Sequence, residues 1–107
     1  MHRTVITGMG VVSPLGSDLG TFWSRLVAGT NGIGKITHFD ASNFPVQIAG
    51  EVKDFNVDAF IDPKAQRRMD QFTHYAIAAS AMAVKDSGID FAANDPYRCG
   101  CIVSSGV

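Results

Sequence analysis

Residues 62–88 form the longest helical pattern of the chain, and residues typical of helix starts and ends divide this pattern into two helices. Asp70 is suited to cap a helix start, because its carboxylate can accept hydrogen bonds from the free N–H groups of a first turn. Gly88 indicates a stop, since glycine readily adopts the left-handed conformation that follows a last helical turn. The pattern therefore predicts a short helix over 63–69 and a long helix over 71–87.

The short helix carries a group of positive charges, called the basic cluster below, which consists of Lys64, Arg67 and Arg68. Asp62 and Pro63 suit the cap and the first position of this helix. The spacing i, i+3, i+4 places the three cations on one helical face. Such a cluster is typical of a solvated helix start. Positive charge near a helix N-terminus also opposes the helix dipole, however, and an acidic partner would offset that cost.

The long helix is close to apolar all round, which is typical of a helix inside a larger protein. Small side chains recur along it and allow neighbouring backbones to approach closely. They are Ala76, Ala78, Ala79, Ala81 and Ala83. We expect this helix to be buried against another helix or a sheet, with its N-terminal end emerging to present the basic cluster.

Composition also indicates a chain that is covered by further polypeptide. Of its 107 residues 46% are hydrophobic and 18% are charged, whereas about a quarter of the residues in an average domain are charged. We therefore interpret residues 1–107 as the N-terminal piece of a longer protein. The net charge of −1 argues against a nucleic-acid partner. The absence of a long apolar run predicts a cytoplasmic protein with no membrane partner.

Strands are predicted at 3–7, 46–52 and 98–103, because these segments are short and rich in β-branched or apolar residues. A helix between the first two strands is predicted to follow a cap offered by Ser17 and Asp18 and to end near Gly29. The resulting order β-α-β-α-β favours an α/β layered fold.

Two motifs that could carry chemistry have structural interpretations. Gly8 and Gly10 follow a strand like the start of a dinucleotide fingerprint, but Ser13 stands where a third glycine is needed, so they predict a close approach of two backbones. Cys99 and Cys101 would point to opposite faces of the last strand, which predicts small buried thiols that neither chelate one metal nor bridge each other.

The histidines are not placed for catalysis either. Neither His38 nor His74 lies near a Cys or Ser with nucleophile-like context in the sequence. No P-loop, nucleophile elbow or metal-ligand spacing is present, so the residues predict no cofactor and no metal.

Taken in order along the chain, the residues resemble the opening of an elongating β-ketoacyl-acyl-carrier-protein synthase, most closely the type II form. The matching segments are residues 5–16, 22–23, 29–33, 38–40, 49–55 and 68–70. The resemblance spans essentially the whole chain. It implies a thiolase-like fold, with αβαβα layers in two similar halves, of which this chain would supply the N-terminal part of the first half.

The resemblance implies a decarboxylative Claisen condensation. In that family a cysteine takes the acyl chain as a thioester, and two histidines support decarboxylation of malonyl-carrier protein and stabilise the developing negative charge. The family's cysteine and histidines are expected beyond the end of this chain. None of its own Cys and His residues matches them, namely His2, His38, His74, Cys99 and Cys101. We therefore expect no catalytic residue within residues 1–107.

Two functional features carry over by position from the family. The basic cluster, Lys64, Arg67 and Arg68, matches the basic patch that receives the acidic acyl carrier protein. With this match we interpret the cluster as a docking surface and no longer as only a solvated helix start. Val107 matches a position that lines the acyl-chain pocket. The resemblance also implies acyl and malonyl thioester substrates, no cofactor, and a homodimer.

Three other interpretations stay open at this stage. A polyketide ketosynthase would use the same chemistry on other chains. A catalytically inactive homologue, like a chain-length factor, would bind partners without a nucleophile. A stand-alone binding module of 107 residues would have to unfold cooperatively by itself.

Overall fold

The computed structural model describes residues 3–105, and it contains three α-helices and two very short strands within that range. In chain order these elements are α1 (Leu19–Val27), β1 (Gly34–Lys35), β2 (Ile48–Ala49), α2 (Pro63–Gln66) and α3 (Gln71–Ser87). Short 3₁₀ turns lie at Val57–Ala59, Phe91–Ala93 and Pro96–Arg98. The described chain divides into two units, one formed by the residues up to Gly10 together with those from Val57 onward, and the other by Val11–Asn56.

In the first unit the N-terminal segment lies directly against α3. A Cβ atom on Gly10 would overlap the backbone carbonyl oxygen of Ala79, and a Cβ on Gly8 would overlap that of Ala83. Both glycines therefore pack backbone against backbone, as the sequence predicted, and the two alanines mark the helical side of this contact. Only residues without a Cβ fit at positions 8 and 10 while the segment keeps this position.

A hydrogen bond supports the same contact at the end of α3. The backbone N–H of Met9 donates to the Asp86 carboxylate at 2.9 Å. The helix then stops at Gly88, which has the left-handed φ of 63° expected of it, and its N–H donates to the Lys85 carbonyl at 3.4 Å. The predicted bounds of the long helix are confirmed, and Gly88 ends it as expected, although the Asp70 side chain makes no cap hydrogen bond at its start.

The second unit contains α1 and the β1–β2 pair. The carboxylate of Asp18 accepts a hydrogen bond from the Thr21 N–H at 2.8 Å, and Gly29 has a positive φ of 68° after the last turn, so the predicted helix is confirmed. The strands β1 and β2 pair in antiparallel register, with Gly34 opposite Ala49.

Glu51 ties together the chain beyond this strand pair. Its carboxylate accepts hydrogen bonds from the Thr37 N–H at 2.9 Å, the Thr37 hydroxyl at 2.7 Å and the His38 N–H at 3.2 Å. The two bonds from Thr37 are the main reason that the pKa of Glu51 is lowered from its usual value. This carboxylate is therefore fully engaged by its own chain.

The predicted strands are largely wrong. Residues 3–7 and 98–103 form no strand, and the strand expected over 46–52 shrinks to β2. A strand exists only where a neighbouring backbone completes its hydrogen bonds. In the described part of the chain, the first and last of these segments have no such neighbour. The expected β-α-β-α-β order is accordingly not seen within residues 3–105.

Burial is limited across the described residues. The hydrophobic side chains that are buried there are those of Ala41, Ile61 and Ala78. The long helix α3 is half-buried along much of its length, and Ala78 is its one fully enclosed position. Large apolar side chains such as Ile6 and Trp23 stay exposed, at 85% and 64%. Among the described residues, no helix combines the length and apolar character needed to span a membrane.

Candidate functional site

The basic cluster lies on α2 and on the turn that follows it. The Asp62 carboxylate caps α2 by accepting a hydrogen bond from the Lys64 N–H at 2.8 Å, and Pro63 occupies the first turn as predicted. The α-helix ends at Gln66, earlier than the expected residue 69. From there to Met69 the chain forms a 3₁₀-type turn, in which an N–H donates to the carbonyl three residues before it.

All three cations of the cluster project into solvent. Lys64, Arg67 and Arg68 are exposed, and within residues 3–105 their side chains make no hydrogen bond or ion pair. Among the acids nearby in sequence, Asp58 accepts a hydrogen bond from a glutamine amide and Asp62 caps α2, whereas the side chain of Asp70 makes no cap hydrogen bond. The structure thus leaves three positive charges within five residues available to an external anionic group.

An apolar groove runs beside α3 and was not indicated by the sequence. Its walls belong to the first unit and are formed by Phe72, Thr73, Ala76, Ile77, Ser80, Cys101 and Val103. The helix and the 101–103 segment are distant in sequence, so no local pattern could predict that they would face each other. Val107, the expected acyl-pocket residue, lies outside the described residues.

The two cysteines differ from the prediction of small buried thiols. Cys101 is exposed and Cys99 is partly exposed, and both are free. The Cys99 thiol faces the Asp95 carbonyl at 3.5 Å, while the Cys101 sulfur lies 3.7 Å from the Ser80 hydroxyl. The prediction was wrong because it assumed a strand enclosed in a sheet, and this segment pairs with no strand among the described residues.

The histidines take part in structural contacts. His74 Nε2 lies 3.3 Å from the Gln66 carbonyl oxygen, and His38 Nε2 lies 3.9 Å from Glu51. No group of three or more His, Cys, Asp or Glu side chains that could hold a metal ion occurs within residues 3–105.

Comparison with known proteins identifies the family. The family model described as "Beta-ketoacyl synthase, N-terminal domain" matches residues 1–107, and the chain belongs to that family. It is 49% identical over 105 residues to "3-oxoacyl-[acyl-carrier-protein] synthase 2" of Staphylococcus aureus (strain COL), and 44% identical over 106 residues to the protein of the same name from Coxiella burnetii. These matches cover 98% and 99% of the chain, and they confirm the resemblance to the type II form.

The matches also show how much of the relatives this chain represents. It spans 25% of the length of the S. aureus relative and 26% of the C. burnetii relative.

Solved structures agree with the family assignment. An ishigamide ketosynthase/chain length factor matches with a TM-score of 0.72 and 37% identity, over 80% of this chain and 21% of that one. A ketosynthase in complex with its type II polyketide acyl-carrier protein matches with a TM-score of 0.65 and 30% identity, over 88% of this chain and 24% of that one. The described chain therefore has the local fold of ketosynthases, which agrees with the expected thiolase-like class.

Proposed function

We propose that this chain is the N-terminal part of a fatty-acid elongating 3-oxoacyl-[acyl-carrier-protein] synthase of the type II form. The observation that carries the proposal is the 49% identity that extends over 105 residues to a relative of that name. In this proposal residues 1–107 are an incomplete portion of a thiolase-like domain with αβαβα layers. The whole enzyme is a homodimer of the cytoplasm and needs no cofactor.

The exposed apolar surface supports the view that more polypeptide covers this chain. Side chains that a complete domain would enclose, such as Ile6, Trp23 and Ile102, are 64% to 96% exposed. Large apolar side chains with this degree of exposure are typical of surface that further protein covers. The segments expected as strands would then obtain their hydrogen-bond partners from that polypeptide.

The proposed reaction joins two thioesters. The thiolate of a cysteine outside residues 1–107 attacks the acyl thioester, which forms the acyl-cysteine and releases the thiolate of the carrier protein. The malonyl-carrier protein then loses CO₂, and the resulting enolate attacks the acyl-cysteine carbonyl, which forms the new C–C bond and releases the thiolate. This chain contributes scaffold, a docking surface and, through Val107, part of the acyl pocket, and it contributes no catalytic residue.

We assign the docking surface to Lys64, Arg67 and Arg68. Their exposure and their lack of partners within residues 3–105 leave their charge available for an acidic protein. Complementary charge of this kind accelerates encounter and fixes orientation. Relatives named for acyl carrier protein, and a ketosynthase solved with its acyl-carrier protein, support this choice of partner.

Charge reversal in the full-length protein tests the docking role. Arg67→Glu combined with Arg68→Glu should raise the KM for malonyl-carrier protein about tenfold or more at low salt, because two attractive charges become repulsive. The salt dependence of the KM should weaken. The melting temperature should change little, because both side chains are exposed and neither makes a hydrogen bond or ion pair within the described residues.

The matched control is a double reversal at exposed lysines outside the cluster, Lys53→Glu with Lys85→Glu. It makes the same change in net charge and should leave the KM close to that of the unaltered protein. Equal effects of the two double variants would mean that overall charge matters and the cluster does not. An unchanged KM in the arginine variant would exclude docking at this surface.

A polyketide ketosynthase is the second candidate, because one matched structure is a type II polyketide ketosynthase. Its identity to this chain, 30%, is below the 49% of the fatty-acid relative, which favours the first proposal. Product analysis with saturated acyl-carrier substrates separates the two, since only the fatty-acid enzyme should extend them efficiently. A full-length protein without a cysteine at the nucleophile position would instead be an inactive, chain-length-factor-like partner.

A further inference from the structure

The orientation of the basic cluster depends on the backbone, because none of its side chains is tied to other described residues. Beyond Gln66 the helical ladder stops. The Arg68 N–H donates to the Ala65 carbonyl at 3.0 Å, and the Met69 N–H donates to the Gln66 carbonyl at 3.1 Å. Two of the three cations therefore stand on a turn that lacks regular α-helical hydrogen bonding.

The side chain of Gln66 anchors the start of that turn. Its Nε2 donates to the Asp58 carboxylate at 2.7 Å and to the Ile61 carbonyl at 2.8 Å. Both amide protons are thus used, one of them on a charged acceptor, which gives the stronger kind of hydrogen bond. Ile61 is one of the buried residues of the described chain, at 7% exposure, so the anchor reaches a fixed point.

The backbone carbonyl of Gln66 makes the opposite connection, to α3. It accepts from the Met69 N–H and lies 3.3 Å from His74 Nε2. A carbonyl oxygen has two lone pairs and can accept from both nitrogens, from His74 in the tautomer that carries a proton on Nε2. Gln66 is consequently held to the segment before α2 and to the helix after it.

We propose that Gln66 is a positioning residue, which sets the direction in which Arg67 and Arg68 present their charges to the carrier protein. The proposal rests on the docking role proposed above and adds a residue that does not itself carry charge. Because Gln66 fixes the turn through both its side chain and its carbonyl, loss of its amide should let the two arginines sample several directions. The carrier protein would then still be attracted by the positive charges, but it would bind in a less defined orientation.

The test replaces the amide by an apolar group of similar size, Gln66→Leu, in the full-length protein. The KM for malonyl-carrier protein should rise about threefold to tenfold, the change expected from losing an oriented contact with charged partners. Activity with a carrier-free substrate, the malonyl thioester of N-acetylcysteamine, should stay the same. Asp58→Asn, which keeps an acceptor oxygen for the glutamine amide, should retain a nearly normal KM.

The outcomes separate this proposal from the proposed function. If Arg67→Glu with Arg68→Glu raises the KM and Gln66→Leu does not, docking stands and positioning by Gln66 is refuted. If neither changes the KM, both are refuted. If Gln66→Leu lowers activity equally with carrier-bound and carrier-free substrates, Gln66 is only structural. Should Gln66→Leu fail to fold, Asp58→Ala removes one of the two side-chain bonds, and it must raise the KM selectively for the carrier-bound substrate.

Discussion

The two ends of the stretch 62–88 have opposite surroundings. At its start, the cations of the basic cluster extend into solvent without partners among the described residues. Along α3, Ala79 and Ala83 face the Gly8–Gly10 segment so closely that there is no room for a single methyl group. We therefore expect substitutions in the basic cluster to alter recognition of the carrier protein, and substitutions along α3 to alter the stability of the fold.

The largest effect on stability is expected where the backbones touch. Gly10→Ala should lower the free energy of unfolding by about 3 kcal/mol, because the new methyl group would meet the Ala79 carbonyl, which is backbone and cannot turn aside. Equilibrium denaturation of the full-length protein measures this change.

Gly34→Ala is the matched control for that substitution. Nothing lies within 4 Å of the position that its Cβ would take, so its effect should stay within about 0.5 kcal/mol. Similar losses of stability in the two variants would mean that the close backbone contact at Gly10 is not what makes its substitution costly.

A smaller effect is expected where α2 begins. Asp62→Ala removes the carboxylate that caps the Lys64 N–H and should cost about 1 kcal/mol of stability. Asp70→Ala provides a sharp control, because Asp70 occupies the cap position of α3 but makes no side-chain cap hydrogen bond. Its cost should be a few tenths of a kcal/mol, mainly from the helix dipole. Thermal unfolding of both variants gives the ranking, and equal losses would argue against the cap.

The smallest effect is expected at Glu51 and depends on pH. Its hydrogen bonds from Thr37 lower the pKa of this carboxyl from a usual 4.5, so the folded state holds its proton less tightly than the unfolded state does. Stability from this group is therefore present at neutral pH and is lost as the pH falls below about 4.5 toward the lowered pKa.

Amide hydrogen exchange reports this loss directly. Protection of the Thr37 and His38 amides should be constant near neutral pH and should fall on acidification. In Glu51→Gln the protection should be lower at neutral pH and should not titrate. A titration that persists in this variant would assign the effect to another group.

The sequence predicted the features whose causes are local. Asp62 capping α2 and Gly88 ending α3 each depend on atoms within a few residues, and both were found where the pattern indicated. The exposed basic cluster was also predicted, because charge spacing on a helical turn can be counted. These features need no knowledge of distant chain segments.

Features that depend on distant partners were missed or wrong. The strand expected at 98–103 required a neighbouring backbone, which the described residues do not provide. Glu51 accepts a hydrogen bond from Thr37, fourteen positions earlier in the chain, and no sequence motif predicts that bond. The contacts of Gln66 were also missed, because they reach Asp58 and His74, eight positions away on either side.

The contact between Met9 and Asp86 has a consequence for the order of folding, because 77 positions separate the two residues. Closing so long a loop has a high entropic cost, so the contact is expected to form late, after α1 and α3 have formed locally. During synthesis Met9 cannot make this contact until Asp86 has left the ribosome, and until then its segment remains solvated. Residues 8–10 are thus expected to reach their final position only after the helix against which they pack has formed.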